Sequence, residues 1–251
     1  MLKLLPYVVA LAVLVLAYVR AADAPALPSD NLSAEQILDR SAAAYRNLRS
    51  YEDTGTVVTS VDGNPAPLKA LAFQTLFSQP GWLRFAYHDT GPGGLQTHHV
   101  LLIENGRATV RSSLTGEEAS TKDAVNAVAE ATGVSDDAAY TLPAVLLPSV
   151  AWKGGTWLSA TGAYRVDDGV EQGIRCYRIR RLTSIDSPRE PSAADARNVA
   201  ETIYWIAMGS ALLLRMDRQV DMDGRNVAIV TRYIPGAGSP ITASTFNLDW
   251  Y

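Results

Sequence analysis

Three histidines, one cysteine and a short acidic turn are the residues in this 251-residue chain whose types first suggest chemistry. His98 and His99 adjoin in a strand-like run, so their side chains point to opposite faces and cannot chelate one metal together. His88 with one of them and Glu104 would have to meet across strands, and surface or loop-edge histidines are the simpler reading; no metal site is expected. Asp221-Met222-Asp223-Gly224 opens like a calcium loop, but the later ligands are missing and a hairpin turn accounts for the residues. Cys176, the single cysteine, lies in the strand-like run Ile174 to Leu182 and reads as a small core residue. A lipase-type Gly-x-Ser-x-Gly elbow, His-Glu-x-x-His, a phosphate-binding loop and a dinucleotide-binding glycine pattern are all absent. With neither nucleophile nor base signposted, neither an enzyme nor a cofactor is expected.

The side chains that do form a set are apolar: Phe73, Phe77, Leu83, Phe85, Tyr87 and Trp205. One reading is an ordinary core beneath a helix. The other is the wall of a cavity for an acyl chain, whose burial contributes about 0.8 kcal/mol per methylene, so that about a dozen sheltered carbons account for tight binding without a polar anchor. Composition leaves both open.

The elements that must position this set follow from periodicity. Ser33-Ala34-Glu35-Gln36 has the form of a capping box, and Ile37, Leu38, Ala42, Tyr45 and Leu48 give the helix it starts one apolar stripe. Tyr51 to Val61 is rich in Thr and Val and closes on Asp62-Gly63-Asn64-Pro65. Lys69 to Gln79 places Leu71, Phe73 and Phe77 on one face; after Pro80-Gly81, Trp82 to His88 answers with Leu83, Phe85 and Tyr87, while Arg84 and His88 fall on the other. These two runs read as adjacent strands sharing an aromatic face. Gln96 to Glu104 and Arg107 to Ser113 form a further hairpin through Glu104-Asn105-Gly106-Arg107. Later strand character falls at 164–168, 174–182, 202–207, 211–219, 226–234 and 242–250, and the polar run Ser184 to Ala200 reads as a long loop.

One stretch interrupts the strands. In Thr121 to Ser149, Ala124, Val128 and Ala131 recur at helical spacing and Gly133 stands where a C-cap glycine belongs. Leu142, Val145, Leu146 and Leu147 follow, but Pro143 and Pro148 restrict any helix there to about one or two turns. The stretch reads as a helical lid over one face of an antiparallel sheet. The fold class expected is mainly β (α+β): a strongly curved antiparallel sheet or incomplete barrel with an N-terminal helix and a helical lid.

Acidic and basic residues nearly cancel, 26 against 22, with no Lys/Arg block, which argues against nucleic acid as a partner. Lys3, the apolar run Leu4 to Val19 and the small residues Ala21 and Ala22 form a secretory signal pattern. The expected organisation is a signal peptide at 1–21, a tether at 22–32 and one domain at 33–251. An exported protein without a disulfide suits a bacterial periplasm.

In Ile37-Leu38 through Ala44-Tyr45 and Leu48 into Ser50-Tyr51-Glu52-Asp53-Thr54-Gly55-Thr56, in Phe73 through Pro80 to Leu83-Arg84-Phe85-Ala86-Tyr87, and in Glu104-Asn105-Gly106-Arg107, the chain resembles the LolA-like periplasmic superfamily of lipoprotein carriers and sorting proteins. Ala131-Thr132-Gly133-Val134, Thr141-Leu142-Pro143, Gly173-Ile174-Arg175-Cys176-Tyr177, Thr202-Ile203-Tyr204-Trp205-Ile206 and Leu213-Leu214-Arg215 extend it toward a branch of predicted periplasmic proteins (DUF2092-like). The resemblance implies an incomplete barrel with a helical lid over a hydrophobic cavity. In carriers of this kind an arginine before the strand-ending proline bonds to the lid and gates it. Here that position is Gln79, which lacks the charge, with Arg84 as a nearby substitute. The function expected is a periplasmic carrier that shelters a lipid or the acyl chains of a lipoprotein. Its cavity wall would be Phe73, Phe77, Leu83, Phe85, Tyr87 and Trp205, beneath a lid carrying Val128, Leu142, Val145, Leu146 and Leu147. The alternative is a sensor on the same fold that signals to an inner- or outer-membrane protein.

Overall fold

The computed structural model describes residues 30–64, 66–90, 96–113, 119–152, 155–184, 199–222, 224–236, 241 and 245–249. The expected signal peptide, most of the tether and the greater part of the run Ser184 to Ala200 lie outside the described residues. Helix α1 (Ala34–Arg46) starts at the capping box: Ser33 Oγ accepts from the Gln36 amide and the Gln36 side chain accepts from the Ser33 amide, satisfying two donors that the first turn cannot pair internally. Its buried stripe is Ala34, Ile37, Leu38, Ser41 and Tyr45.

Eleven strands follow: β1 (Ser50–Val61), β2 (Lys69–Ser78), β3 (Trp82–Thr90), β4 (Gln96–Glu104), β5 (Arg107–Ser112), β6 (Ser120–Asp123), β7 (Ala163–Glu171), β8 (Ile174–Ser184), β9 (Val199–Ala207), β10 (Leu213–Met222) and β11 (Arg225–Pro235). They form one antiparallel sheet in the order β6-β5-β4-β3-β2-β1-β11-β10-β9-β8-β7. The two halves of the chain each fold as a run of neighbouring strands and are joined where β1 pairs β11. Among the described residues the ends, β6 and β7, are unpaired edges, so the sheet does not close there. Between β6 and β7 come α2 (Ala124–Val134), two four-residue helices α3 (Ala138–Thr141) and α4 (Pro143–Leu146), and a 3-10 turn at Pro148–Val150.

Register defines the faces. Phe73 pairs Tyr87 and Phe77 pairs Leu83 across β2 and β3, and Leu83 and Phe85 continue onto Ile103 and Leu101 of β4. These side chains are buried, Leu83, Phe85 and Ile103 completely. The same face runs on through Tyr233 of β11 to Tyr204 and Ile206 of β9 and Tyr177 and Ile179 of β8. The concave face of the sheet is therefore the core, with α1 and the lid against it. Helix α1 is tied down at two points, Ser41 Oγ donating to Ala211 O at 2.7 Å and the Leu213 amide to Tyr45 Oη at 3.0 Å. Gly55 is required by this packing: a Cβ there would lie 2.1 Å from Phe73 Cζ and 2.4 Å from Arg232 O.

Three expectations are corrected. Residues 120–123 are a strand, so α2 begins at Ala124 on the cap Asp123, whose carboxylate accepts from the Val125 and Asn126 amides. Gly133 is inside α2, which ends at Ser135, and the left-handed turn is made by Asp136 and Asp137, with φ of 50° and 71°. Finally, residues 245–249 are not a strand. They cross the convex face, where Arg84 donates to Asn247 O and Asp249 O, Arg111 donates to Leu248 O, and Phe246 packs on Trp82 at 5.7 Å.

Candidate functional site

A pocket of about 490 Å³ lies between the concave face of β3–β5, strand β6 and helix α2. Its volume is in the range of small-ligand sites. Tyr87, Leu101, Ser112 and Ala127 are its buried wall, and Ala119, Ser120, Glu130 and Val134 its exposed rim. Helix α2 contributes the small side chains Ala127 and Ala131 to the lining, and β5 contributes Val110 and Ser112.

Inside, Tyr87 and His99 stack at 4.5 Å with an interplanar angle of 11°. They are register partners on β3 and β4, and Ser112 is the partner of His99 on β5. Burial holds His99 below the usual histidine range, so the ring is uncharged at neutral pH, and burial raises the Tyr87 hydroxyl well above its usual range. At the rim Lys122 is ion-paired with Glu130.

The lid is fastened beside this pocket at the Asp136–Asp137 corner. Thr59 Oγ1 of β1 donates to Asp136 Oδ2 at 2.7 Å, and Lys69 of β2 lies 3.5 Å from the same oxygen while also donating to Val134 O at the end of α2. Arg218 of β10 pairs with Asp137. Three strands from both halves of the sheet thus hold one corner whose two consecutive left-handed aspartates are themselves a costly backbone arrangement.

The structure distributes the sequence-derived site residues unevenly. Phe73, Phe77, Leu83 and Phe85 are packed in the core; Tyr87, from the same set, lines the pocket. Trp205 is on the opposite side of the sheet. Tyr204 and Ile206 take the concave face, and Trp205 lies on the convex one between the guanidinium groups of Arg178 and Arg215, at 4.5 and 4.9 Å, donating from Nε1 to Asp217 at 2.9 Å. It is no part of a concave wall. In the lid, Val128 and Leu142 are completely buried, Leu146 is buried and Val145 and Leu147 are half-buried. Gln79 donates through Nε2 to Leu48 O at 3.0 Å, where α1 runs into β1, and Arg84 is clamped to residues 247–249 and Gln74 on the convex face. Polar contacts to the lid corner come from Thr59, Lys69 and Arg218. Sequence alone signalled these weakly, the Ala face of α2 being the best hint of a void and Asp136-Asp137 the best hint of a turn.

A second polar feature lies in the floor beneath α1. Asp53 is fully buried on the concave face and accepts from Tyr51 Oη at 2.9 Å and the Thr75 amide at 3.1 Å. Burial pushes its carboxyl up to about 7.

No protein-family model matches the chain, and no curated protein does. Among solved structures, the chain is similar to lipoprotein LppX of Mycobacterium tuberculosis, at 15% identity over 79% of this chain and 92% of that one, with a TM-score of 0.42. It is also similar to a LolA superfamily protein from Nitrosomonas europaea, at 9% identity over 86% and 98% of the two chains with a TM-score of 0.36. The complex of MucA and MucB from Pseudomonas aeruginosa matches at 13% identity over 86% of this chain and 61% of that one, with a TM-score of 0.44. The finer DUF2092-like branch stays a sequence resemblance.

Proposed function

We propose that this protein is a binding protein that shelters the apolar chain of a lipid, or an acyl chain of a lipoprotein, in the pocket beneath α2. The observation that carries the reading is the pocket itself, about 490 Å³ between a helix and a sheet with Tyr87, Leu101, Val110, Ala127, Ala131 and Val134 in its lining. Its chemistry is reversible burial. Each methylene taken from water contributes about 0.8 kcal/mol, and movement of α2 about the Asp136–Asp137 corner admits and releases the chain. The sequence pattern at 1–21 supports export through a cleaved signal peptide, with the mature domain at 33–251 acting in a bacterial periplasm.

Native mass spectrometry of the mature protein from periplasmic extract, followed by lipid analysis of what dissociates, tests the reading directly. A stoichiometric acylated species is expected. Ala131→Trp, which fills the pocket from the α2 side, should remove that species and abolish uptake of a fluorescent fatty-acid ester while circular dichroism stays unchanged. A wild-type protein that arrives free of lipid and takes up no apolar probe overturns the proposal.

A further inference from the structure

The one lysine in the pocket lining, Lys122, is ion-paired with Glu130, and an acidic side chain lies next to the pocket's aromatic wall. Asp89 borders the pocket: it is on β3, two residues beyond the lining residue Tyr87 and on the same concave face, paired with the core residue Leu71 on one side and Thr97 of β4 on the other. Its carboxylate acts electrostatically on both Tyr87 and His99, the stacked pair in the pocket wall. Asp89 Oδ1 is buried and has no hydrogen-bond partner among the described residues. A buried acceptor left unmade is costly, and a ligand that supplies a donor recovers that cost.

The charges around it fall the same way. Lys122 is paired with Glu130, and Lys69 with Asp136. His99 is held uncharged by burial. With those two pairs neutralised, the carboxylate of Asp89 is the charge that a head group meets beside the Tyr87–His99 wall. A fatty-acid carboxylate placed there meets a like charge, whereas a hydroxyl or ammonium group meets its hydrogen-bond acceptor.

We propose that the pocket selects single-chain amphiphiles whose head group donates hydrogen bonds, neutral alcohols or amines, over free carboxylates of the same chain length, with Asp89 as the recognising residue. The inference rests on the reading of the pocket as an apolar-chain site. It is tested by displacement of Nile red from the wild-type protein with three twelve-carbon amphiphiles: dodecylamine, glycerol monododecanoate and dodecanoate. The amine and the monoglyceride are expected to displace the dye at concentrations about tenfold or more below dodecanoate. Asp89→Asn, which keeps the shape, should erase the amine's advantage over dodecanoate. Dodecanoate binding as tightly as the other two, or a preference that survives Asp89→Asn, overturns the head-group inference while leaving the pocket standing. Failure of Nile red and all three amphiphiles to bind the wild-type protein overturns the pocket and the inference together.

Discussion

Replacing Asp53 by Asn should make the protein more stable above neutral pH and flatten its dependence on pH. Asp53 is fully buried, bonded by Tyr51 Oη and the Thr75 amide, and neither donor carries a charge. Burial therefore outweighs hydrogen bonding and raises the carboxyl from 3.8 to about 7. In the unfolded chain the group releases its proton near the ordinary value, whereas in the folded chain it holds the proton until about pH 7, so between these limits the folded state binds more protons. Stability is then greatest below the unfolded value and falls as pH rises through the folded one. The full displacement is worth about 4 kcal/mol at 1.36 kcal/mol per pH unit, and about 3 kcal/mol of it falls between pH 5 and pH 8. Asparagine keeps an acceptor for the Thr75 amide but turns its amide toward Tyr51, which costs about 1 kcal/mol at every pH. Urea unfolding of both proteins at pH 5, 6, 7 and 8 separates the two effects, because other carboxylates cancel in the difference. Asp53→Asn should be slightly more stable than wild type at pH 5 and about 3 kcal/mol more stable at pH 8. Parallel profiles for the two proteins would refute the claim that Asp53 is folded in as a neutral acid.

Two further predictions concern the lid and the packing. Arg218→Ala and Asp137→Asn each break the partly exposed pair at the lid corner; at up to about 1 kcal/mol for such a pair, amide exchange in α2 should quicken by up to about fivefold. Raising salt should have the same effect on wild type alone, and exchange in the variants no faster than in wild type would show that the corner does not hold the lid. Gly55→Ala should cost about 3 kcal/mol, because the added methyl meets both the Phe73 ring and the backbone of β11; a midpoint of thermal unfolding within about 2 °C of wild type would count against that packing.

Where a local rule had one physical outcome, the sequence was readable. The capping box fixed the start of α1, alternation in β2 and β3 placed Phe73, Phe77, Leu83, Phe85 and Tyr87 on one face, and two prolines limited α3 and α4 to single turns. Trp205 shows why the rest was not. In β9 both parities are apolar, Tyr204 and Ile206 on one and Ile203 and Trp205 on the other, so alternation could not say which face was buried; two arginines from β8 and β10 cover the indole on the convex side. The lid corner failed for a different reason. Gly133 and the pair Asp136-Asp137 all tolerate a left-handed turn, and Lys69 and Arg218, supplied from about 65 and 80 residues away, favour the aspartates. The pocket depends on how α2 is placed against β3 to β6, and a space between two elements is visible only once both have positions.

The pairing of β1 with β11 sets the order in which this protein can be completed. Asp53 meets Pro235 and Val61 meets Val227, so the seam at the centre of the sheet joins strands about 170 residues apart, while every other pairing in the sheet is between consecutive strands. The first six strands can zip up as they are synthesised, but one long side of that half, β1, then presents bare amide and carbonyl groups until the last strand arrives. Synthesis speed and any chaperone that masks a strand edge both act on that interval. A lesion in β11 would therefore be felt first as aggregation of a half-assembled molecule.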